Sequence, residues 1–282
     1  MKPANVVSAV LHRGVERLQA LPQGRRDAQL LLLRVLNRDA AWLLTHPEAA
    51  LNDEQQERYD AWIARRERHE PMQYILGEQE FYGLRFRVSR DVLIPRPETE
   101  HVVEAVLARV PRNATVRICD VGTGSGAIAV ALAYTMPEAE VTGLDRSRGA
   151  LVVARENAQR HGMAERVRFL ESDLLEAVHG EQFDVVVSNP PYVGEHEVLE
   201  PQVAEYEPRA ALFAGPTGLE VVRRLIPEAG EALVPGGWLV LEMGQGQRDA
   251  VAGLLAGWEE VSFVQDLQGI SRVAIARRRA SE

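Results

Sequence analysis

The tetrapeptide Asn189-Pro190-Pro191-Tyr192 gathers residue types suited to one task, holding a flat nitrogen group. Neither proline has a backbone N–H, and a residue that precedes proline is pushed toward extended backbone, so the bend is stiff and short of donors. It offers acceptors instead: the Asn189 side-chain oxygen and the Pro190 carbonyl. Two fixed acceptors side by side match a planar –NH2, whose hydrogens lie in one plane. Tyr192 adds an aromatic face for such a group to lie against. The plainer reading is a proline turn that closes a buried strand, and the surroundings must decide between the two.

A second constellation lies upstream. Gly122-Thr123-Gly124-Ser125-Gly126 follows the apolar run 116–121 and precedes an apolar helical pattern from Ala127 to about Ala133. Glycines so placed let backbone approach a ligand and leave helix N–H groups facing it. Asp145 closes the next run, 19 residues beyond Gly126, the offset at which a carboxylate takes ribose hydroxyls. Asp173-Leu174 closes a third. With alanine accepted in the last place, the glycine run meets the dinucleotide fingerprint, which by itself does not separate a nicotinamide cofactor from S-adenosylmethionine. Three features favour the methyl donor: the alternating glycines, the further acid Asp173 where an adenine amino group would lie, and Asn-Pro-Pro-Tyr, which has no part in hydride transfer.

Strands must carry these residues. Runs at 116–121, 141–145, 167–170 and 183–188 alternate with helical patterns, which predicts a parallel, doubly wound α/β sheet with ligands at the carboxyl ends of its strands. Asp120, the glycine turn, Asp145, Asp173 and Asn189 all fall at such ends, the main argument for one composite site. A helix from Gly218 to about Leu233, a strand Trp238–Glu242 and two antiparallel strands at 261–264 and 273–276 complete the sheet. Residues 193–217 read as a long loop.

Ahead of the sheet, residues 2–70 read as helices, with Leu30 to Leu36 the most apolar stretch and Asn52 capping a helix to about His69. From Pro71 the period changes: Tyr74-Ile75-Leu76, Gly77, then Glu80 to Val88 alternate like strands around glycines. Pro97 suits the first turn of a helix running through Val102 and Leu107. The expected division is a helical domain 1–70, a β-hairpin linker 71–90 and a catalytic domain 91–282.

The bulk properties narrow the function. The 282 residues are 46% hydrophobic and 26% charged, as in an ordinary globular protein. No apolar run is long enough to span a bilayer, and Met1 to Ala20 lacks the apolar core of a signal peptide. The net charge of −9 argues against sequence-independent binding to a phosphate backbone. One cysteine, Cys119, and seven scattered histidines give no metal-ligand spacing and suit a reducing, cytoplasmic setting.

These pieces together resemble the HemK/PrmC family of class I S-adenosylmethionine-dependent methyltransferases. The matching blocks are Pro71-Met-Gln-Tyr74-Ile-Leu-Gly77 through Glu80-Phe81, Leu93-Ile-Pro-Arg96-Pro-Glu-Thr-Glu100, Asp120 to Gly126, Asn189 to Tyr192, Glu207-Pro-Arg-Ala-Ala-Leu212 and Glu242-Met-Gly244. Asn-Pro-Pro-Tyr is shared with adenine-N6 DNA methyltransferases, so the linker and Ile-Pro-Arg-Pro-Glu-Thr-Glu blocks discriminate. The turn Asp266 to Arg272 carries less charge than the family pattern. The resemblance implies a seven-stranded Rossmann-like domain with an antiparallel last strand, and transfer of a methyl group to the glutamine N5 of the Gly-Gly-Gln motif in class 1 peptide chain release factors. It implies a donor site of Gly122, Thr123, Gly124, Ser125, Gly126, Asp145, Asp173, Leu174 and Asn189. The same resemblance puts Asn189, Pro190, Pro191, Tyr192 and Arg96 at the substrate, with no metal and a monomeric protein. Two other readings stay open: a methyltransferase acting on an adenine or guanine amino group, and a noncatalytic donor-binding protein.

Overall fold

The computed structural model describes residues 5–280. Residues 1–4, where the expected helices begin, and 281–282 lie outside the described residues. Contacts divide the described chain into two units, 5–77 with 200–206 and 78–199 with 207–280.

The first unit contains helices α1 (Val7–Arg17), α2 (Gly24–Leu36), α3 (Ala40–Thr45), α4 (Asp53–Glu67) and α5 (Met72–Leu76). Its core joins Val10, Leu31, Leu32, Tyr59 and Ile63. Asn52 opens α4 as expected, in a reciprocal capping box with Gln55 at 2.8 and 3.0 Å. Inside the unit, Arg66 pairs with Asp27 at 2.8 Å and also donates to the Glu70 carbonyl, so neither buried charge lacks a partner. Tyr74-Ile75-Leu76 is helical, which corrects the strand expected there. Three apolar residues cannot set a period, and Gly77, at φ 76°, ends the helix as a left-handed cap.

The second unit opens on a hairpin of β1 (Glu78–Phe81) and β2 (Leu84–Arg87). A single 3-10 turn at Pro97–Thr99 leads into α6 (Glu100–Leu107). There follow β3 (Arg117–Val121), α7 (Ala127–Thr135), β4 (Glu140–Asp145), α8 (Arg148–Arg160), β5 (Val167–Glu171) and β6 (Phe183–Ser188). The expected loop 193–217 is largely ordered into short elements: β7 (Val193–Gly194), α9 (Pro201–Tyr206), α10 (Arg209–Leu212) and β8 (Phe213–Gly215), with β7 and β8 pairing in parallel. Of these, α9 groups with the first unit. Then come α11 (Glu220–Ala232), β9 (Leu233–Glu242), α12 (Arg248–Leu254), which periodicity did not predict, β10 (Glu259–Gln265) and β11 (Ser271–Arg277).

The main sheet has the order β10-β11-β9-β6-β3-β4-β5. Only β11 runs against the rest, as the sequence predicts for a class I methyltransferase sheet. Side chains alternate between two cores: Ile118, Val185, Val187 and Val240 face one side, Cys119, Val186, Leu239 and Leu241 the other. Both faces are therefore covered, as a parallel sheet requires. Cys119 is such a core residue, and burial pushes its thiol far above the ordinary value, which suits a small hydrophobe. The chain order reverses between β3 and β6, whose last residues Val121 and Ser188 are partners in the ladder. Ligand crevices open at this kind of switch point.

Candidate active site

The turn after β3 is set by its glycines. Gly122, Gly124 and Gly126 have φ of 73°, 54° and 78°, backbone that side chains disfavour. Gly122 N and Thr123 N both donate to the Leu144 carbonyl at 2.8 Å, which ties the turn to the end of β4. Asp120 supports it from below. Its Oδ2 accepts from Thr123 Oγ1 at 2.6 Å and from Ala129 N at 3.2 Å, while the buried Oδ1 has no partner among the described residues. Burial pushes the Asp120 carboxyl up to about 7, against the pull of those two bonds. Asp145 is likewise engaged, accepting from Gly124 N at 2.9 Å and Ser147 N at 2.8 Å. Burial raises its pKa and the backbone donors oppose the rise.

Most of the turn and Asp145 border a cavity of about 230 Å³, while Asp120, expected at the same site, lies beneath the turn and does not line it. Gly122, Thr123, Gly124, Ser125, Asp145, Asp173, Leu174, Asn189 and Pro191 all line it. Asp173 stands half exposed at its edge, one oxygen taken by Arg224 Nη2 at 2.9 Å, and Leu174 is held at φ 48°. Gly126 is not among the lining residues. A Cβ there would stand 3.2 Å from that of Ala154, so this glycine serves the packing of α7 against α8, the part played by the third glycine of the fingerprint.

Across the cavity, Asn189 follows β6, and its Nδ2 donates to Thr99 Oγ1 at 3.0 Å. Pro190 is buried, and Pro191 and Tyr192 are half-buried. Burial, then the Glu242 charge, pushes the Tyr192 hydroxyl up to about 12, so it stays protonated. The bend is fastened from behind by Gln247. Its Nε2 donates to the carbonyls of Tyr192 (3.0 Å) and Gly218 (3.2 Å), and its Oε1 accepts from Gly244 N at 2.9 Å. Gly218 lies at φ 76°, where a Cβ would come within 2.4 Å of the Tyr192 carbonyl.

Pro190, Tyr192 and Arg96 are not among the lining residues. The Arg96 guanidinium is held by the buried Glu207, whose other oxygen accepts from Ile94 N at 3.0 Å. Two sequence blocks, Ile94-Pro-Arg96 and Glu207-Pro-Arg209, are thus halves of one clamp. Sequence reasoning assigned no role to Thr99, Glu242, Gln247, Gly218 or Arg224. Thr99 and Glu242 did fall inside blocks carrying the family resemblance, the one signal that marked them.

Comparison with known proteins places the chain in a family. Residues 9–77 match the family described as the PrmC N-terminal domain and residues 99–206 the methyltransferase small domain. A release factor glutamine methyltransferase of Koribacter versatilis is 48% identical over 92% of this chain and 93% of its own length. Those of Geobacter sulfurreducens and Escherichia coli are 44% and 40% identical, covering 94% and 95% of this chain and 93% and 97% of their own. Among solved structures, a Thermus thermophilus 16S rRNA N2 G1207 methyltransferase superposes with a TM-score of 0.55 at 20% identity, over 72% of this chain and 50% of its own. A Pyrococcus furiosus methyltransferase gives 0.52 at 19%, over 81% and 100%. At such identities the two structures speak for the class I methyltransferase fold. The curated relatives go further: at this identity and coverage, the chain belongs to the release factor glutamine methyltransferase family.

Proposed function

We propose that this protein transfers a methyl group from S-adenosylmethionine to the side-chain amide nitrogen of the glutamine in the Gly-Gly-Gln motif of class 1 release factors, leaving S-adenosylhomocysteine. The observation that carries the reading is adjacency: the Asn-Pro-Pro-Tyr bend and the glycine turn leave neighbouring strands of the switch point and border one cavity.

The residues suit the donor. Gly122 and Gly124 have open space where a Cβ would stand, so backbone can meet the methionine portion. Asp145 would hold the ribose hydroxyls through lone pairs its two backbone donors leave free, and Asp173 with Leu174 would meet the adenine. When bound, S-adenosylmethionine supplies an electrophilic methyl group on a sulfonium.

The remaining work falls to the protein. An amide nitrogen is a weak nucleophile because its lone pair is delocalised into the carbonyl. Acceptance of both its hydrogens, by Asn189 Oδ1 and the Pro190 carbonyl, aims the nitrogen and weakens that delocalisation, with Tyr192 and Pro191 flanking the plane. The nitrogen forms a bond to the methyl carbon as the carbon–sulfur bond breaks, the electron pair stays on sulfur, and the methylated amide releases one proton to water. Positioning of this kind is worth on the order of 7 to 11 kcal/mol at best, and acceptors beside developing positive charge add an electrostatic share. Arg96 contributes by fixing the Ile94–Pro97 segment at the cavity wall. The helical unit serves as the release factor's docking surface, and the protein works as a cytoplasmic monomer.

Incubation of the protein with release factor and isotope-labelled donor, followed by mass spectrometry, tests this. One added methyl on the glutamine of Gly-Gly-Gln is the expected result. Label passing to DNA or RNA and not to the release factor would replace the reading with an amino-base methyltransferase.

A further inference from the structure

Asn189 can serve the proposed reaction only if its amide is presented the right way round, oxygen toward the substrate nitrogen. Asparagine carries a donor and an acceptor at nearly equal positions, and half a turn about χ2 exchanges them. A reversed Asn189 would offer two more hydrogens to a group that already has two. Something must define the sense of the amide.

Beside Asn189 stand two buried polar side chains, Thr99 at 4% exposure, which also lines the cavity, and Glu242 at 2%. Thr99 Oγ1 receives the Asn189 Nδ2 hydrogen at 3.0 Å, and Glu242 follows Leu241, the ladder partner of Ser188, which sets it next to Asn189 on the paired strands, with Thr99 the neighbour that most holds its carboxyl down. Among the described residues, Glu242 Oε2 is buried without a partner. We infer that Thr99 and Glu242 are positioning residues that fix the orientation of the Asn189 amide, and with it the direction in which the substrate nitrogen is held. A hydroxyl has one hydrogen. An ionised carboxylate only accepts, so on this inference the Thr99 hydrogen turns to Glu242 and only lone pairs remain toward Asn189. Those lone pairs admit the –NH2 end and reject the oxygen. Among the described residues, Asn189 Oδ1 is left without a partner, and Asn189 lines the cavity.

The inference rests on the proposed reaction for its purpose, and its tests separate the two. Thr99→Val keeps the shape of the side chain and removes the acceptor. Its kcat on release factor is expected to fall about 10- to 100-fold, the scale on which misplaced catalytic groups act, with little change in donor affinity. Thr99→Ser, which keeps the hydroxyl, restores most of that loss. Glu242→Gln offers both a donor and an acceptor to Thr99 and so removes the asymmetry; a smaller fall in kcat is expected, with a changed pH profile. Burial pushes the Glu242 carboxyl up to about 7, with Thr99, Arg272 and Arg96 lowering it and Glu98 raising it, and Tyr192 facing it as a protonated hydroxyl. A protonated Glu242 can donate to Thr99 and free the Thr99 hydrogen for Asn189. The wild-type kcat is therefore expected to decline as pH drops through about 7, and Glu242→Gln to lose that limb.

A readout independent of activity completes the test. The side-chain amide protons of Asn189, identified in 15N-labelled protein by their loss in Asn189→Asp, are expected to exchange with solvent more slowly in wild type and Thr99→Ser than in Thr99→Val. Should wild type leave release factor unmethylated while this exchange pattern holds, the proposed reaction fails and the orienting pair stands. If Thr99→Val keeps both the wild-type kcat and the wild-type exchange, the orienting pair is wrong whatever the substrate.

Discussion

The two banks of the cavity are made differently. On the β3–β4 bank the polar groups are turned inward: Asp120 holds Thr123 and Ala129, and Asp145 holds Gly124 and Ser147. What this bank offers a ligand is a backbone shape, enforced by three residues at positive φ. On the β6 bank the backbone has almost no donors, and one side chain, Asn189, holds its place through a single hydrogen bond to a residue ninety positions away. A site made of backbone shape should lose function in steps as its supports go. One made of a single aligned side chain should lose nearly all of it at once.

Replacing Asn189 is therefore the strongest way to break the comparison. Asn189→Ala removes one of the two acceptors proposed for the reacting nitrogen, a kind of loss that costs about 100- to 1,000-fold in kcat. Donor affinity should hold within about 3-fold, measured by calorimetry, because the other bank is intact. Near-normal turnover in this variant would show that the proline bend alone positions the substrate.

Asp145→Ala is the matching change on the other bank. It deletes a group that supports Gly124 and Ser147 and would also bind ribose, so donor affinity should weaken by about 10- to 100-fold, two hydrogen bonds to a charged group being lost. At saturating donor, kcat should change far less than in Asn189→Ala. An equal collapse of kcat would mean that the banks are not separable.

Asp120 sharpens the contrast through pH. Its carboxyl is pushed up to about 7 in the folded protein by burial, well above the ordinary unfolded value near 4. Between these values the folded state keeps a proton that the unfolded chain releases. The stabilisation is complete at low pH and is lost as pH rises toward about 7, on the order of 1 kcal/mol per pH unit at its steepest. Asp120→Asn cannot titrate, so its urea midpoint should fall less than that of wild type between pH 5 and pH 8. Parallel pH dependences would indicate that Asp120 is no less solvated folded than unfolded.

The contrast also explains what was legible beforehand. The shape-based bank is written locally: the glycine turn and Asp145 sit within one strand–helix–strand run, and a carboxylate at the right offset is visible without coordinates. Strand β6 could be placed because Val185, Val186 and Val187 lead straight into Asn189. The supports of the β6 bank are scattered. Thr99 looks like the third residue of a helix start, and Glu242 like the polar end of a strand, until pairing of β6 with β9 and the approach of the 97–99 turn bring both beside Asn189. Residues 193–217 misled for a related reason. Elements such as β7 and β8 are two and three residues long, too short for a period, and exist because they pair with each other across the intervening chain. At Tyr74-Ile75-Leu76 the run was apolar but too brief to tell strand from helix, and the left-handed Gly77 decided it.

The smallest expected effect lies where the shape-based bank meets solvent. Asp173 and Arg224 form an ion pair with both side chains about half exposed, and such pairs contribute little to stability, on the order of 0 to 1 kcal/mol. Arg224→Ala should accordingly leave the melting temperature almost unmoved. Asp173 has a different part in the proposed site: one oxygen is engaged by Arg224, and the other, without a partner among the described residues, is the one proposed for the adenine amino group. Asp173→Ala should weaken donor binding by about 5-fold, the worth of one solvent-exposed hydrogen bond of about 1 kcal/mol, and Asp173→Asn, which keeps an acceptor, by less. The order of the two variants is the informative part. If alanine and asparagine bind donor equally well, the adenine is read by the backbone at Leu174, and this bank recognises its ligand by shape all the way to its rim.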